Sequence, residues 1–213
     1  MTALIIARSK LLFGLRACDI IRAGQIQMNR TPADDETPAI RHQYEEHGVE
    51  GYYEQFGADY RNPHEPVIHE VLREAVERWR LDLTRVLDLA CGSGEATLVL
   101  RELGAVEIDG VDPYTNEAYL ARTGKAAESF SFEQIAAGAL AERSYSLIVC
   151  SFAMHLIEES WLPALLARIA MISGSLLIIT PHKRPEIKAE WNWTLADEFV
   201  IERVRARLYQ TKP

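Results

Sequence analysis

Two acidic residues at the ends of consecutive apolar runs are the residues of this chain best suited to chemistry. Asp88 lies inside the run Val86–Ala90, which stops at the turn Gly92-Ser93-Gly94, and Asp112 ends the run 106–111, twenty residues after Gly92. An acid that ends the second strand of such a unit accepts hydrogen bonds from ribose hydroxyls. An acid at the mouth of a glycine turn would repel a pyrophosphate but suits a ligand with an ammonium group.

The glycine turn itself joins an apolar run to a helix-compatible run, Glu95 to Leu103. This order predicts a buried strand, a tight turn and a helix N-terminus, where glycines admit a ligand to the backbone and N–H groups offer a partly positive rim. Thr97 occupies the place where a dinucleotide turn needs its third glycine. A ligand with ribose and an amine but no phosphate is S-adenosylmethionine.

Three segments carry a resemblance to a known family. They are Leu-Asp-Leu-Ala-Cys-Gly-Ser-Gly at 87–94, Gly-Val-Asp-Pro-Tyr at 110–114, and Tyr-Ser-Leu-Ile-Val-Cys-Ser-Phe-Ala-Met-His-Leu at 145–156. In this order and spacing the chain, over roughly residues 50–210, resembles class I S-adenosylmethionine-dependent methyltransferases, and its third segment resembles those that methylate small molecules.

The resemblance implies S-adenosylmethionine as cofactor and a set of residues around it. Asp112 is expected at the ribose, Gly92 and Gly94 at the methionine moiety, and Pro113-Tyr114 on one face of the adenine. The acid that often meets the adenine amine is not evident, so Gln134 or the backbone of Ile135 is expected there. The full set of expected cofactor residues is Tyr53, Tyr60, Asp88, Ala90, Gly92, Gly94, Asp112, Pro113, Tyr114, Gln134, Ile135 and Ser151.

The elements that must position these residues alternate along the chain. A helix opens at Pro66, and strands are predicted at 84–90, 106–111, 129–135, 146–151 and 175–180, with helices at 95–103, 115–123 and 160–171. This predicts a Rossmann-like α/β fold with a doubly wound, mostly parallel sheet of six or seven strands and helices on both faces. Gly124 and Ser160 are predicted helix caps. Residues 194–203 are predicted to be helical and 204–210 to form one last strand, which leaves out the family's C-terminal hairpin.

Composition excludes several classes of protein. The chain has 213 residues and a net charge of −8, and five basic residues within positions 1–30 make the remainder still more acidic. An acidic body disfavours a nucleic-acid substrate, and no apolar run reaches membrane-spanning length. Cys18, Cys91 and Cys150 have neither metal nor paired spacing and indicate reduced thiols of a cytoplasmic protein. No metal site is predicted.

The N-terminal region differs from the rest. Residues 1–28 combine leucine and isoleucine with arginine, and three interpretations stay open: a targeting peptide, an amphipathic helix packed on the domain, or an upstream start before Met28. Residues 1–40 are predicted to be an extension and linker, and 41–213 the methyltransferase domain. Within it, residues 41–66 are a candidate lid over the site.

Two histidines, His155 after the fourth predicted strand and His182 after the fifth, are the candidate catalytic bases, because imidazole titrates near neutral pH. Lys183 and Arg184 would suit an anionic acceptor. The Asn/Asp-Pro-Pro-Tyr motif of enzymes that methylate amide or adenine nitrogens is absent, which favours a small molecule. The chain is expected to be a monomer or homodimer. Two alternatives remain: a catalytically silent cofactor-binding subunit and a nicotinamide-dependent oxidoreductase.

Overall fold

A single six-stranded sheet forms the centre of the molecule, for which a computed structural model describes Gly57 and residues 60–212. Its strands are β1 (Arg85–Leu89), β2 (Glu107–Val111), β3 (Leu147–Ser151), β4 (Ser175–Thr180), β5 (Trp193–Ile201) and β6 (Val204–Thr211). They lie in the order β2-β1-β3-β4-β6-β5. Strands β2, β1, β3 and β4 are parallel, and β6 is antiparallel to both of its neighbours. The predicted Rossmann-like sheet is confirmed.

Five helices cover the two faces of this sheet within the described residues: α1 (Glu65–Trp79), α2 (Glu95–Glu102), α3 (Asn116–Thr123), α4 (Phe132–Ala136) and α5 (Leu162–Ile169). One apolar cluster joins α1 and α2 to one face of the strands, and a second joins α4 and α5 to the other. Because both faces are buried, the central strands are near-continuous apolar runs, as parallel sheets require.

Helix α1 shows how the sequence forms these elements. Pro66 lies in its first turn, where a missing N–H costs nothing. Its buried residues Val67, Ile68, Val71, Leu72 and Ala75 follow helical spacing. The helix ends at Arg80, which adopts a left-handed conformation with φ 49°.

The predicted strand at 129–135 is wrong, because residues 132–136 form helix α4. Ser131 caps this helix in a capping box: its hydroxyl accepts from the Gln134 N–H, and the Gln134 side chain accepts from the Ser131 N–H. This reciprocal bonding satisfies two backbone donors and favours a helix over a strand. The segment before it contributes only an isolated bridge between Val111 and Glu128.

The predicted helix at 194–203 is also wrong, because residues 193–201 form strand β5 at the sheet edge. Strand β5 joins β6 through Glu202-Arg203, whose φ values of 47° and 69° suit a tight hairpin turn. Pairing with β6 outweighs the helical preference of leucine, alanine and glutamate on an exposed edge. The C-terminal hairpin, predicted to be missing, is therefore present.

Two smaller cap predictions have opposite outcomes. Gly124 ends α3 in a left-handed conformation with φ 70°, as predicted. Ser160 does not cap the helix at 160–171: that helix begins at Leu162, and the Ser160 hydroxyl donates to Glu158 Oε1 at 2.7 Å. The N-cap position is occupied by Trp161, so Ser160 lies one residue too early to accept from the first N–H groups of the helix.

Several predictions fall on other parts of the chain. Residues 1–40, Tyr53 and most of the candidate lid at 41–66 lie outside the described residues. Among the described helices, none is long and apolar enough to cross a membrane.

Candidate functional site

A cavity of about 610 Å³ opens where β1, β2 and β3 end. This is the C-terminal edge of the parallel strands, at the point where the chain order switches direction across the sheet, and ligands of open α/β sheets bind there. Of the predicted cofactor residues, those that line the cavity are Tyr60, Asp88, Ala90, Gly92, Asp112, Pro113, Tyr114, Ile135 and Ser151. The fold thus brings together predicted residues from five separate segments of the chain.

The glycine turn is fixed to the end of β2 by side chains of that strand's loop. Asp112 Oδ2 accepts from the Gly92 N–H at 3.2 Å, and the Thr115 hydroxyl donates to the Gly92 carbonyl at 2.7 Å. Asp112 Oδ1 accepts from the backbone N–H groups of Tyr114 and Thr115 at 2.9 and 3.1 Å. The Asp112 carboxylate therefore orders both loops, besides facing the cavity.

The two glycines of the turn have different reasons to be glycine. Gly92 has φ +54° and lines the cavity, and a Cβ there would lie 3.2 Å from Tyr60 Cε1. Gly94 begins helix α2 with φ +90°, and a Cβ there would lie 2.5 Å from Thr123 Cγ2. Gly94 does not line the cavity, so its close neighbour is helix α3.

Asp88 is the most unusual charged group of the site. Its side chain is fully buried, and Oδ2 accepts from the Thr97 hydroxyl at 2.6 Å. Within the described part of the chain, Oδ1 has no hydrogen-bond partner although Asp88 lines the cavity. Burial, together with the charges of Glu95 and Asp112, raises the pKa of Asp88 to about 7 in spite of the Thr97 bond. A cation in the cavity would relieve this cost.

Burial also raises the pKa of Asp112, although its backbone hydrogen bonds act in the opposite direction. Cys91, inside the turn, is buried, and burial raises the pKa of its thiol far above the usual range. A thiol held protonated in this way is a poor nucleophile. The ends of β1 and β2 therefore supply the carboxylates of Asp88 and Asp112, and the turn holds no reactive thiolate.

The segment before α1 covers the glycine turn and is held there by Glu95. Glu95 is buried in the first turn of α2 and accepts from the Asn62 N–H at 3.0 Å, from Ser93, and from Arg122 Nη1 at 3.2 Å. Arg122 also pairs with Glu65 at the start of α1. This network joins the start of α1, the glycine turn and α3.

At the side of the cavity formed by helix α4, only one of the two predicted residues, Ile135, lines the cavity. Ile135 is buried and lines the cavity, and Ser131 and Glu133, which are more exposed, line it as well. Gln134 does not line it, because its amide is occupied by the capping box with Ser131. The short helix points the neighbours of Gln134 at the cavity instead.

The residue directly after β1 and the residue directly after β3 are both non-glycine residues in the left-handed conformation. Ala90 and Phe152 each have φ 57°, and both line the cavity. Such residues cost roughly 1–2 kcal/mol each and concentrate at functional sites. The Phe152 ring stacks on His64 with ring centroids 4.9 Å apart. Next to it, Ser151 Oγ is buried without a hydrogen-bond partner among the described residues.

The two candidate catalytic histidines lie against each other. The ring centroids of His155 and His182 are 4.2 Å apart, and neither residue lines the cavity itself. Burial and the nearby His182 lower the pKa of His155 to about 4, so its imidazole is neutral at physiological pH. His155 Nδ1 is buried and unpartnered within residues 60–212.

The loop after β4 that contains Lys183 and Arg184 is held by hydrogen bonds from Arg207. This arginine is 8% exposed and donates to the carbonyls of Lys183 at 2.9 Å and Pro185 at 3.2 Å, and to Glu198 Oε2 at 3.2 Å. Arg184 pairs with Glu159 at the surface, with both side chains over 80% exposed. Neither Lys183 nor Arg184 lines the cavity.

Comparisons with known proteins agree with this geometry. Residues 86–173 match the family model described as a methyltransferase domain. An uncharacterized protein of Schizosaccharomyces pombe is 30% identical over 220 residues, which cover 78% of this chain and 89% of that protein. The chain belongs to the class I S-adenosylmethionine-dependent methyltransferases. The reaction of this family is methyl transfer, and its cofactor is S-adenosylmethionine.

Solved methyltransferases show the same fold at low identity. Magnesium protoporphyrin IX methyltransferase from Synechocystis, with bound S-adenosylmethionine, has a TM-score of 0.54 and 14% identity, covering 86% of this chain and all of that one. A TehB-like S-adenosylmethionine-dependent methyltransferase from Corynebacterium glutamicum has a TM-score of 0.53 and 17% identity, covering 85% of this chain and all of that one.

The described residues fit the cofactor of this methyltransferase. A buried carboxylate oxygen without a partner, Asp88 Oδ1, faces the cavity and suits an ammonium group. At Gly92 a side chain would meet Tyr60 and Glu95, so the bare backbone leaves the space open. The nicotinamide alternative is set aside by the family. The silent-subunit alternative has the same fold, and the turnover measurement described below decides it.

Some residues of the site were missed by sequence reasoning. Glu95 and the residues at the start of α4 contribute to the cavity. The capping box was visible as Ser131-x-x-Gln134. Glu95, as an acid in the first turn of a helix, has no sequence signal that separates it from an ordinary dipole contact.

Proposed function

We propose that this methyltransferase acts on a small molecule bound at the β3 side of the cavity. The observation that carries the proposal is the cavity itself: its volume of about 610 Å³ falls in the range of about 300–1,000 Å³ typical of small-molecule sites. Beyond the cofactor residues, its lining continues into Phe152, Ala153, Leu156 and Ile157, which are apolar. This composition suits a compact acceptor with an apolar body.

The roles of the cofactor residues follow from their free polar atoms. Asp88 Oδ1 would bind the ammonium group, because it is the buried acceptor without a partner. Asp112 would accept a ribose hydroxyl through Oδ2, which receives one backbone N–H while Oδ1 receives two. Tyr60 would cover the turn at Gly92. S-adenosylmethionine supplies the methyl group as an already activated sulfonium substituent.

The charges around the cavity favour an uncharged or cationic acceptor over the anionic one that Lys183 and Arg184 suggested. Five carboxylates line the cavity: Asp88, Glu95, Asp112, Glu133 and Glu158. Among the described lining residues there is no lysine or arginine. A cleft lined by one sign of charge raises the local concentration of ligands of opposite sign and repels anions.

We infer further that, if the acceptor must lose a proton, His155 is the better of the two candidate bases. It is neutral at physiological pH, and its buried Nδ1 has an unused hydrogen-bonding capacity. His182 is exposed and its backbone N–H donates to the Thr180 hydroxyl. With the cofactor at saturating concentration, a base with a pKa near 4 would keep turnover constant from pH 6 to 8.

The candidate lid at 41–66 stays part of this proposal. Gly57 lies against Tyr114, since a Cβ at Gly57 would be 2.4 Å from the Tyr114 carbonyl oxygen. Residues 60–64 contact the glycine turn through Tyr60 and Asn62. These contacts support closure of the segment over the cofactor, which would exclude water from the reacting groups.

The test measures binding and turnover separately. Calorimetry with S-adenosylmethionine and S-adenosylhomocysteine gives the affinity, and release of S-adenosylhomocysteine is then screened against metabolites grouped as cations, neutral compounds and anions. We expect turnover with a cationic or neutral compound. Turnover only with anions would refute the charge argument, and turnover only with a protein or nucleic acid would refute the small-molecule proposal.

Two variants, each with a matched control, test the proposed roles of Asp88 and His155. Asp88→Asn should weaken cofactor binding, whereas Asp109→Asn should not, because Asp109 pairs with Lys125 away from the cavity. His155→Gln should lower turnover at unchanged cofactor affinity, with His69→Gln as its control, because His69 pairs with Glu102 and does not line the cavity. Equal turnover of the His155→Gln variant and the parent would refute the base assignment.

A further inference from the structure

We propose that Thr97 and Tyr119 are positioning residues that hold one oxygen of Asp88, so that the other oxygen stays directed at the cavity for the ammonium group of the cofactor. Neither residue lines the cavity, so both would act through Asp88. The inference rests on the proposed contact between Asp88 and the ammonium group, and it names the side chains on which that contact depends.

The three side chains form a chain of hydrogen bonds with a defined direction. The Thr97 hydroxyl lies 2.6 Å from Asp88 Oδ2 and 3.0 Å from the Tyr119 hydroxyl. A threonine hydroxyl has one proton. An ionised carboxylate only accepts, so Thr97 gives its proton to Asp88 and must accept the proton of Tyr119. Each hydroxyl is thereby fixed in orientation by the next.

The fold makes room for this chain at one specific place. Tyr119 is fully buried in α3, and its hydroxyl reaches Thr97 by passing over Gly110 of β2. A Cβ at Gly110 would lie 2.5 Å from Tyr119 Cζ and 2.6 Å from its hydroxyl oxygen. Gly110 pairs with Asp88 in the register of β1 and β2. The glycine opposite Asp88 therefore admits the tyrosine that orients it.

The surroundings of Asp88 explain why orientation matters. The charged groups that act on it are Glu95 of α2 and Asp112 after β2, both acidic, and the Cys91 thiol and Tyr119 hydroxyl next to it are neutral at physiological pH. No cationic side chain among the described residues is a hydrogen-bond partner of Asp88. Thr97 thus supports the Asp88 carboxylate through both its hydroxyl and its backbone, and a bound ammonium group would be a second support.

Three variants and two ligands test the proposal. Thr97→Val removes the hydroxyl, Thr97→Ser restores it, and Tyr119→Phe removes only the phenolic oxygen. Each is titrated with S-adenosylhomocysteine, which has the amino group, and with methylthioadenosine, which lacks the amino-acid moiety. We expect Thr97→Val to bind S-adenosylhomocysteine about ten-fold or more weakly and Tyr119→Phe about three- to ten-fold more weakly, while methylthioadenosine changes less than about two-fold.

A pH series gives a second readout that a purely structural role would not change. In the parent, affinity for S-adenosylhomocysteine should rise as the pH approaches about 7 and then level off, because the ammonium group needs the ionised carboxylate. Without the Thr97 donor the pKa of Asp88 rises, so the midpoint of this curve should move upward by about one pH unit. Thr97→Ser should return it to the parent value.

Two pairs of the same chemistry that do not line the cavity provide the controls. Thr84 donates to Asp82 at 2.5 Å, and Tyr145 donates to Asp109 at 3.1 Å, both away from the cavity. Thr84→Val and Tyr145→Phe should leave both ligands and the pH curve unchanged.

The outcomes separate this proposal from the one on which it rests. If Asp88→Asn binds S-adenosylhomocysteine like the parent, the ammonium contact fails and the positioning role with it. If Asp88→Asn is weakened but Tyr119→Phe and Thr97→Val match the parent in affinity and pH curve, the positioning role alone is refuted. Equal loss of both ligands in Tyr119→Phe would also refute it, since the residue would then only support the fold. Should Thr97→Val not fold, Thr97→Ser and Tyr119→Phe decide.

Discussion

The replacement of Asp88 by asparagine should make the ligand-free protein more stable while it weakens cofactor binding. In the folded protein burial raises the pKa of Asp88 from 3.8 to about 7. A group with a raised folded pKa stabilises the protein fully below its unfolded pKa, and this contribution is lost as the pH rises through the folded pKa. A shift of about three units corresponds to at most about 4 kcal/mol at pH 8.

Asparagine has nearly the same shape and can still accept from Thr97, but it does not ionise. The variant should therefore exceed the parent in unfolding free energy at pH 8 by about 1–4 kcal/mol, the lower value allowing for an amide N–H that faces the cavity. Its advantage at pH 8 should exceed that at pH 5 by about 2–3 kcal/mol, because the parent carboxyl ionises between these values.

Urea unfolding at pH 5, 6, 7 and 8, with and without saturating S-adenosylhomocysteine, measures both effects. The ligand should stabilise the parent strongly and the variant weakly. Asp109→Asn is the control of opposite sign: burial acts to raise the pKa of Asp109, but the hydrogen bond and charge of Lys125 outweigh it and lower the pKa. A variant of Asp88 that is less stable than the parent at pH 8, or whose pH dependence matches the parent's, would refute the reasoning.

Three further variants probe the supports of the site. Asp112→Ala should weaken S-adenosylhomocysteine binding in calorimetry and lower the unfolding free energy by about 2–4 kcal/mol, because its carboxylate accepts three backbone N–H groups; unchanged affinity would contradict the ribose role. Ala90→Gly should stay within about 1 kcal/mol of the parent in thermal unfolding, as relief of the left-handed conformation offsets glycine's entropy, and a larger loss would show that the methyl group is needed for packing. Arg207→Leu should speed hydrogen exchange of residues 182–186, since two carbonyls of that loop lose their donor; unchanged exchange would show that the loop is held by other contacts.

The cofactor site could be predicted well where chemistry and chain position coincide. Asp88 and Asp112 each follow a buried strand, and parallel strands bring such positions to one edge whatever the details of packing. Gly92 was predicted from its turn and has the left-handed φ that only glycine adopts freely. These predictions rest on local sequence and on the handedness of the fold.

Secondary-structure prediction failed at two segments, where another interaction outweighed the preference suggested by the residue pattern. Residues 129–135 alternate enough to suggest a strand, but the Ser131–Gln134 capping box is stronger and forms α4. Residues 194–203 have good helix formers, but the hairpin turn at Glu202-Arg203 pairs them with β6. In the second case the deciding interaction lies across the sheet, so the segment alone did not contain the answer.

The supports of Asp88 could not be found from the sequence for a related reason. Thr97 was noted only as the residue that replaces a third glycine, and Tyr119 lies 22 positions further on the helical face of α3. The Tyr119 hydroxyl can reach Thr97 because Gly110, in strand β2, has no side chain to block it. A threonine, a tyrosine and a glycine on three elements have no common pattern until the register of β1 and β2 is known.

The left-handed residues that follow β1 and β3 also make room for the cavity. Ala90 after β1 and Phe152 after β3 are both left-handed, and these two strands are neighbours in the sheet. The left-handed conformation turns the chain away at both positions and leaves space between the two strand ends. On each side, a backbone hydrogen bond to the neighbouring outer strand holds the turned segment. The Phe152 N–H donates to the Ile179 carbonyl at 2.8 Å, and the Cys91 N–H next to Ala90 donates to the Val111 carbonyl at 3.1 Å. Each strained residue is thus fixed by a bond to the adjacent strand on its outer side. The flanking strands β2 and β4 therefore hold the two sides of the cavity, which lies at the ends of the inner strands β1 and β3.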